Sequence, residues 1–143
     1  MWTDLPGLFL VLPFAGTVLV FLLPDQSRPY AGILTAILVF LSAWSVAADV
    51  YLHGPVHIRL GGWPQPLGIG IYIDGLSILF LLMTAVVGFF VSVYAWSYFS
   101  LPQNKTKGPH FWPLWFVLWG GLNALFSTAD IFNTYVLLEL VGI

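Results

Sequence analysis

The chain contains no cysteine, and only four Lys plus Arg and six Asp plus Glu stand among its 143 residues. Without cysteine, disulfides, thiolate metal sites and cysteine-ligated iron–sulfur clusters are excluded within this chain. So few basic residues leave no electrostatic footprint for nucleic acid and no polybasic cluster for anionic lipid. Lys and Arg are also missing before the first apolar run, in Met1-Trp-Thr-Asp-Leu-Pro-Gly7. A cleavable signal peptide normally carries them there, so this segment is expected to belong to the mature protein. A soluble domain has roughly 25% charged residues, whereas here 7% are charged, 59% are hydrophobic and the mean hydropathy is +0.94. That balance describes a chain solvated by lipid. The apolar runs are long and do not alternate with polar residues as barrel strands would, which leaves the helical solution.

What is present is a series of apolar segments separated by short polar turns, and it predicts an all-α, polytopic helix bundle in the cell membrane, in contact with its lipids. The expected spans are residues 5–23, 30–48, 71–98 and 111–126, with the start of a fifth at 130–143. Pro13 and Gly16 lie inside the first, where a proline removes one backbone hydrogen bond and favours a kink. Trp44 and Tyr51 near the end of the second, and Tyr94, Trp96 and Tyr98 at the end of the third, are placed as interfacial aromatics. The fourth is rich in tryptophan at Trp112, Trp115 and Trp119. Its Gly120-Gly121 pair permits close helix approach, and Asn123 is available for an interhelical hydrogen bond.

Residues 53–70 differ in kind. Val56-His57-Ile58-Arg59-Leu60 alternates, Gly61-Gly62-Trp63-Pro64 breaks it, and Leu67-Gly-Ile-Gly-Ile-Tyr72 resumes, which predicts a short β-hairpin-like loop outside the bilayer. His53 and His57 flank a proline in this stretch and are expected as solvated loop residues; no metal site is expected. Asp74 precedes the third helix and can cap it. Arg28, Lys105 and Lys107 fall on one face of the membrane against Arg59 on the other. The positive-inside rule then puts the hairpin and the N-terminus outside.

The final stretch, Thr128 to Ile143, carries the chemistry. If its helix starts near Asp130, Glu139 lies nine residues on, at ~1.5 Å per residue about 13 Å into an apolar slab roughly 30 Å thick. An acid near the midplane costs ~2.5 to 3.5 kcal/mol on insertion scales and is by default a candidate on a proton or ion path. Its bland alternative is an acid that hydrogen-bonds a neighbouring helix. Glu139 is therefore the candidate proton-translocating residue, with Asp130, Asn133, Asn123 and Asp74 as supporting polar candidates. Four residues follow it, about 6 Å of helix where roughly 15 Å of hydrocarbon would remain. The chain is accordingly expected to be a fragment, or one half of a split protein whose continuation completes the helix.

Three stretches carry a family resemblance: Gly61-Gly-Trp-Pro-Gln-Pro-Leu-Gly-Ile69, Ile73-Asp-Gly-Leu-Ser-Ile-Leu79, and Ser127-Thr-Ala-Asp-Ile-Phe-Asn-Thr-Tyr-Val-Leu-Leu-Glu-Leu-Val-Gly142. With them the sequence resembles the N-terminal third of an antiporter-like subunit, the superfamily shared by Mrp-type cation/proton antiporters, the proton-pumping membrane subunits of complex I and related membrane hydrogenases. The Gly-Gly-Trp-Pro and Asp-Ile-Phe-Asn runs are most similar to the D-type subunit of Mrp antiporters. The resemblance implies about fourteen helices with two inverted five-helix repeats. It also implies that Glu139 pairs with a lysine two helices later and modulates its protonation. The function expected is a subunit of a multisubunit monovalent cation/proton antiporter, with protons and Na+ as the candidate ions, other complex subunits as partners, no cofactor and no covalent chemistry of its own. Two alternatives stand beside it: the same module in a complex I-type NADH:quinone oxidoreductase or membrane hydrogenase, and a structural or assembly subunit without transport.

Overall fold

The structure, a computed structural model, describes residues 5–60, 68–104 and 107–142. It contains five helices, α1 (Leu5–Leu22), α2 (Arg28–His53), α3 (Gly75–Ser100), α4 (Gly108–Ser127) and α5 (Ile131–Gly142), and two strands, β1 (Val56–Leu60) and β2 (Ile69–Ile73). Helices α2 and α3 are long and apolar enough to cross a membrane by length and composition. The Gly61–Pro66 break, Lys105 and the first four residues lie outside the described residues.

The hairpin forms where alternation places it. β1 and β2 pair antiparallel with Val56 opposite Ile73, Ile58 opposite Ile71 and Arg59 opposite Gly70. Ile71 and Ile73 enter the core, while His57 and Arg59 stay exposed. His57 packs against its cross-strand partner Tyr72 at a ring separation of 4.3 Å, the rings tilted by 38°.

Two expectations are corrected here. Residues 71–73 are not helical: their apolar, β-branched character suits either state, the ladder claims them, and α3 begins only after Asp74. His53 is not a loop residue. It ends α2, five residues beyond the expected boundary, with its Nδ1 2.8 Å from Asp49 Oδ1 one turn back. Gly54, at a φ of 88° that side chains resist, then stops the helix with its N–H on the Val50 carbonyl.

Helices α1 to α4 close into a ring in which α1 packs on α2 and α4, α3 on α2 and α4, and α5 on α4 alone among its main contacts. Close approach rests on glycines facing larger side chains. A Cβ at Gly16 would collide with Thr35, at Gly32 with Trp112, at Gly88 with Trp119 at 2.7 Å, and at Gly120 with Phe14 at 2.9 Å. Small residues of this kind let helices associate through dispersion where no hydrophobic drive exists. A hydrogen bond between side chains of α3 and α4 adds to it: Trp115 Nε1 donates to Ser92 Oγ at 2.9 Å.

Both ends of the ring are tied. At one, Arg28 donates to the Phe21 and Leu23 carbonyls that end α1 and to the Pro109 carbonyl that begins α4, and it pairs with Asp25 at 2.9 Å. At the other, the hairpin meets the α4–α5 turn: Ile71 bridges Thr128, and the Ala129 N–H donates to the Gly70 carbonyl at 3.0 Å.

Candidate functional site

The turn before α5 consumes its polar groups locally. Asp130 Oδ1 accepts from the Phe132 N–H at 3.1 Å, and the Asp130 carbonyl accepts from the Thr134 N–H and hydroxyl, each at 2.9 Å. Asn133 Nδ2 donates to Thr128 Oγ1 at 2.9 Å. An aspartate at this position satisfies helix N–H groups that have no partner inside the helix. Thr128 is not among the sequence candidates, although a hydroxyl before an Asp at a helix start is a readable signal.

Helix α5 leans on α4 through Gly121. A Cβ there would stand 3.2 Å from Val141 Cγ2 and 3.4 Å from Leu140 Cδ2. Leu137, Leu140 and Val141 recur at helical spacing and form this inner stripe, with Leu137 the buried residue of α5. Glu139 follows Leu137 by two positions, about 200° around the helix. It is exposed on the opposite face, which it shares with the exposed Phe132 and Tyr135. No polar partner meets its carboxylate among the described residues.

Asn123 lies elsewhere. Trp112, Phe116, Trp119, Asn123 and Ser127 form the buried stripe of α4 that faces the ring interior. Asn123 stands about 200° from Gly121, so α4 separates it from the face on which α5 packs. The interhelical hydrogen bond expected of its side chain is not formed: both amide atoms are buried with no partner among the described residues.

Asp74 caps α3, its Oδ1 accepting the Ser77 N–H at 2.8 Å. That backbone hydrogen bond holds the carboxyl below the ordinary aspartate range against a smaller opposing effect of desolvation. The five sequence candidates are therefore not gathered into one cluster. Asp74, Asp130 and Asn133 serve helix starts at the hairpin end, Asn123 is inside the ring, and Glu139 is on the outer face of α5. No group of three or more His, Asp or Glu able to hold a metal occurs among the described residues.

Residues 64–106 match the family model described as NADH-ubiquinone oxidoreductase (complex I), chain 5 N-terminus. The chain is 28% identical to the D-type subunit of the Na(+)/H(+) antiporter of Alkalihalophilus pseudofirmus, over 92% of its own length and 27% of that protein's. It is 32% identical to the N-type subunit of the NADH-quinone oxidoreductase of Desulforudis audaxviator, over 98% of its length and 28% of that protein's. Among solved structures, it superposes on a chain of the membrane-bound sulfane sulfur reductase, an archaeal respiratory membrane complex. That match has a TM-score of 0.85 and 28% identity, and covers 97% of this chain and 28% of that one. A chain of the Mrp complex from Dietzia sp. DQ12-45-1b shares the fold with a TM-score of 0.71 at 20% identity, over 99% of this chain and 26% of the other. The chain thus spans little more than a quarter of the length of these proteins. Both structural matches are to chains of multisubunit membrane complexes. With 92% and 98% of its length covered by these two relatives, the chain belongs to the antiporter-like family of the Mrp D-type and complex I membrane subunits, corresponding to the N-terminal part of its longer members.

Proposed function

We propose that this chain forms the N-terminal helices of a membrane subunit in a multisubunit Mrp-type monovalent cation/proton antiporter, and that Glu139 binds the translocated proton. One observation carries the reading. The acid of α5 is turned away from α4, on a face that the α1–α4 ring does not cover. In proteins about four times as long as the matched region, later segments are available to cover that face. A carboxylate in apolar surroundings changes its proton affinity as a cation moves toward or away from it, and each pKa unit is worth ~1.36 kcal/mol. A cationic side chain on a later helix would make Glu139 such a coupling element. In this reading α1 to α4 cross the bilayer, with the hairpin end outside and the Arg28 end in the cytoplasm.

The test is Glu139→Gln in the complete complex. Proton-coupled cation transport in everted vesicles is expected to be lost while membrane insertion is retained; transport at the wild-type rate would refute the assignment. Similarity to the N-type oxidoreductase subunit and to the sulfane sulfur reductase chain favours a second reading, a proton-pumping module of a redox complex. The absorption spectrum of the purified complex decides between them: flavin or iron–sulfur bands place the chain in a redox enzyme, and their absence from an active complex favours the antiporter.

A further inference from the structure

The buried stripe of α4 contains three polar groups that the protein leaves unsatisfied: the Trp112 Nε1–H, the Trp119 Nε1–H and the whole Asn123 amide, all without a partner among the described residues. Asn123 is 0% exposed, and it follows Trp119 by one helical turn, about 6 Å along the axis. The Trp119 ring packs over Gly88 of α3, its Cε2 2.7 Å from where a Cβ would stand. Neighbouring polar side chains of α3 and α4 are satisfied. Ser92 donates to the Gly88 carbonyl and accepts from Trp115, and Ser127 donates to the Asn123 carbonyl at 2.7 Å. The unsatisfied groups are therefore concentrated on one stripe and are not a general property of the ring.

A buried amide in an apolar bundle either finds a hydrogen-bond partner or destabilises the fold, and lipid offers none. An Asn side chain presents two donors and an acceptor with two lone pairs, and the Trp119 Nε1–H, one turn away on the same stripe, adds one donor. Buried waters typically make about three hydrogen bonds to groups of this kind. A cation is a poorer occupant, since Asn123 Oδ1 is the one side-chain oxygen of the stripe without a partner among the described residues and hard cations take six or more oxygens. We propose that Asn123 and the Trp119 indole N–H form an internal water-binding site inside the α1–α4 ring, on the side of α4 opposite Glu139. The site exists whether or not Glu139 carries protons.

Two measurements on the complete complex in lipid nanodiscs test this. X-ray radiolysis generates hydroxyl radical from bound water in place, so Trp119, although 1% exposed, is expected to be oxidised rapidly. In the Asn123→Leu variant, where the apolar side chain fills the amide's volume, its oxidation should fall several-fold while Trp96, exposed at the end of α3, keeps its rate. Trp119 oxidation that is equal in the two proteins overturns the proposal. A density map of the wild-type complex that resolves ordered water answers independently of how the variant folds. Density within hydrogen-bond distance of the Asn123 amide is expected, and an amide paired directly with a protein group, with no such density, overturns the site.

Discussion

The α1–α4 ring and α5 bury their residues in opposite ways. The ring interlocks tryptophan and phenylalanine with glycine on neighbouring helices and is tied at both ends. α5 has one buried residue, Leu137, and rests on α4 through the single open position at Gly121. The ring is thus a finished scaffold held by shape, whereas α5 displays a half-covered helix whose acid has no partner on the scaffold. The difference teaches where each kind of residue is tolerated: inside the ring Ser92 and Ser127 bond backbone carbonyls and Asn123 sits on the α4 stripe, whereas among the described residues the carboxylate without a polar partner, Glu139, is on the uncovered face.

The largest expected effect comes from that face. Glu139→Gln should abolish proton-coupled transport, whereas Tyr135→Phe, on the same face but without a titratable acid, should retain most of it; equal losses in both would mean that the face serves packing. Next, the same substitution made on α2 against the inner side of α4, and on α4 itself against α5, sharpens the contrast. Gly32→Ala drives a methyl into the fully buried Trp112 ring and should destabilise the solubilised subunit by about 2–3 kcal/mol. Gly121→Ala meets Val141 at 3.2 Å, a contact a side chain can relieve. Its strain is offset by the better helix propensity of alanine, so the net change should stay within about 1 kcal/mol. Thermal unfolding of both variants measures the ratio.

Arg28→Met removes donors to three carbonyls at the tied end and should cost about 2 kcal/mol, hydrogen bonds from a charged donor being the stronger kind. The smallest effect belongs to Asp74→Ala, a modest fall in thermal midpoint. Because the folded-state pKa of Asp74 is depressed, its contribution is full above the ordinary aspartate pKa and disappears as pH falls through the depressed one. Unfolding midpoints of wild type and Asp74→Ala should therefore differ at neutral pH and converge in acid.

Much of this fold was legible because lipid forces simple patterns. The hairpin followed from the alternation of Val56 to Leu60, and the Asp74 cap from its place before an apolar run. The strand through Ile73 was not separable from the helix after it, since Ile71-Tyr72-Ile73 suits both and only the ladder to β1 decides. The direction faced by Asn123 was hidden for another reason. All sides of α4 are apolar, so composition gives no inner face, and it takes the contacts of Gly121 and Trp119 to orient the helix. The same holds for Glu139, whose place in the sequence sets its depth but not its azimuth.

The stitch between the hairpin and the α4–α5 turn is made by main-chain atoms of Gly70, Ile71, Thr128 and Ala129. A tether of this kind has no side chain for mutation to remove. Force applied to the hairpin by a neighbouring protein would be passed to the first turn of α5, and drift in residue identity at these four positions, short of a proline, would leave that linkage in place.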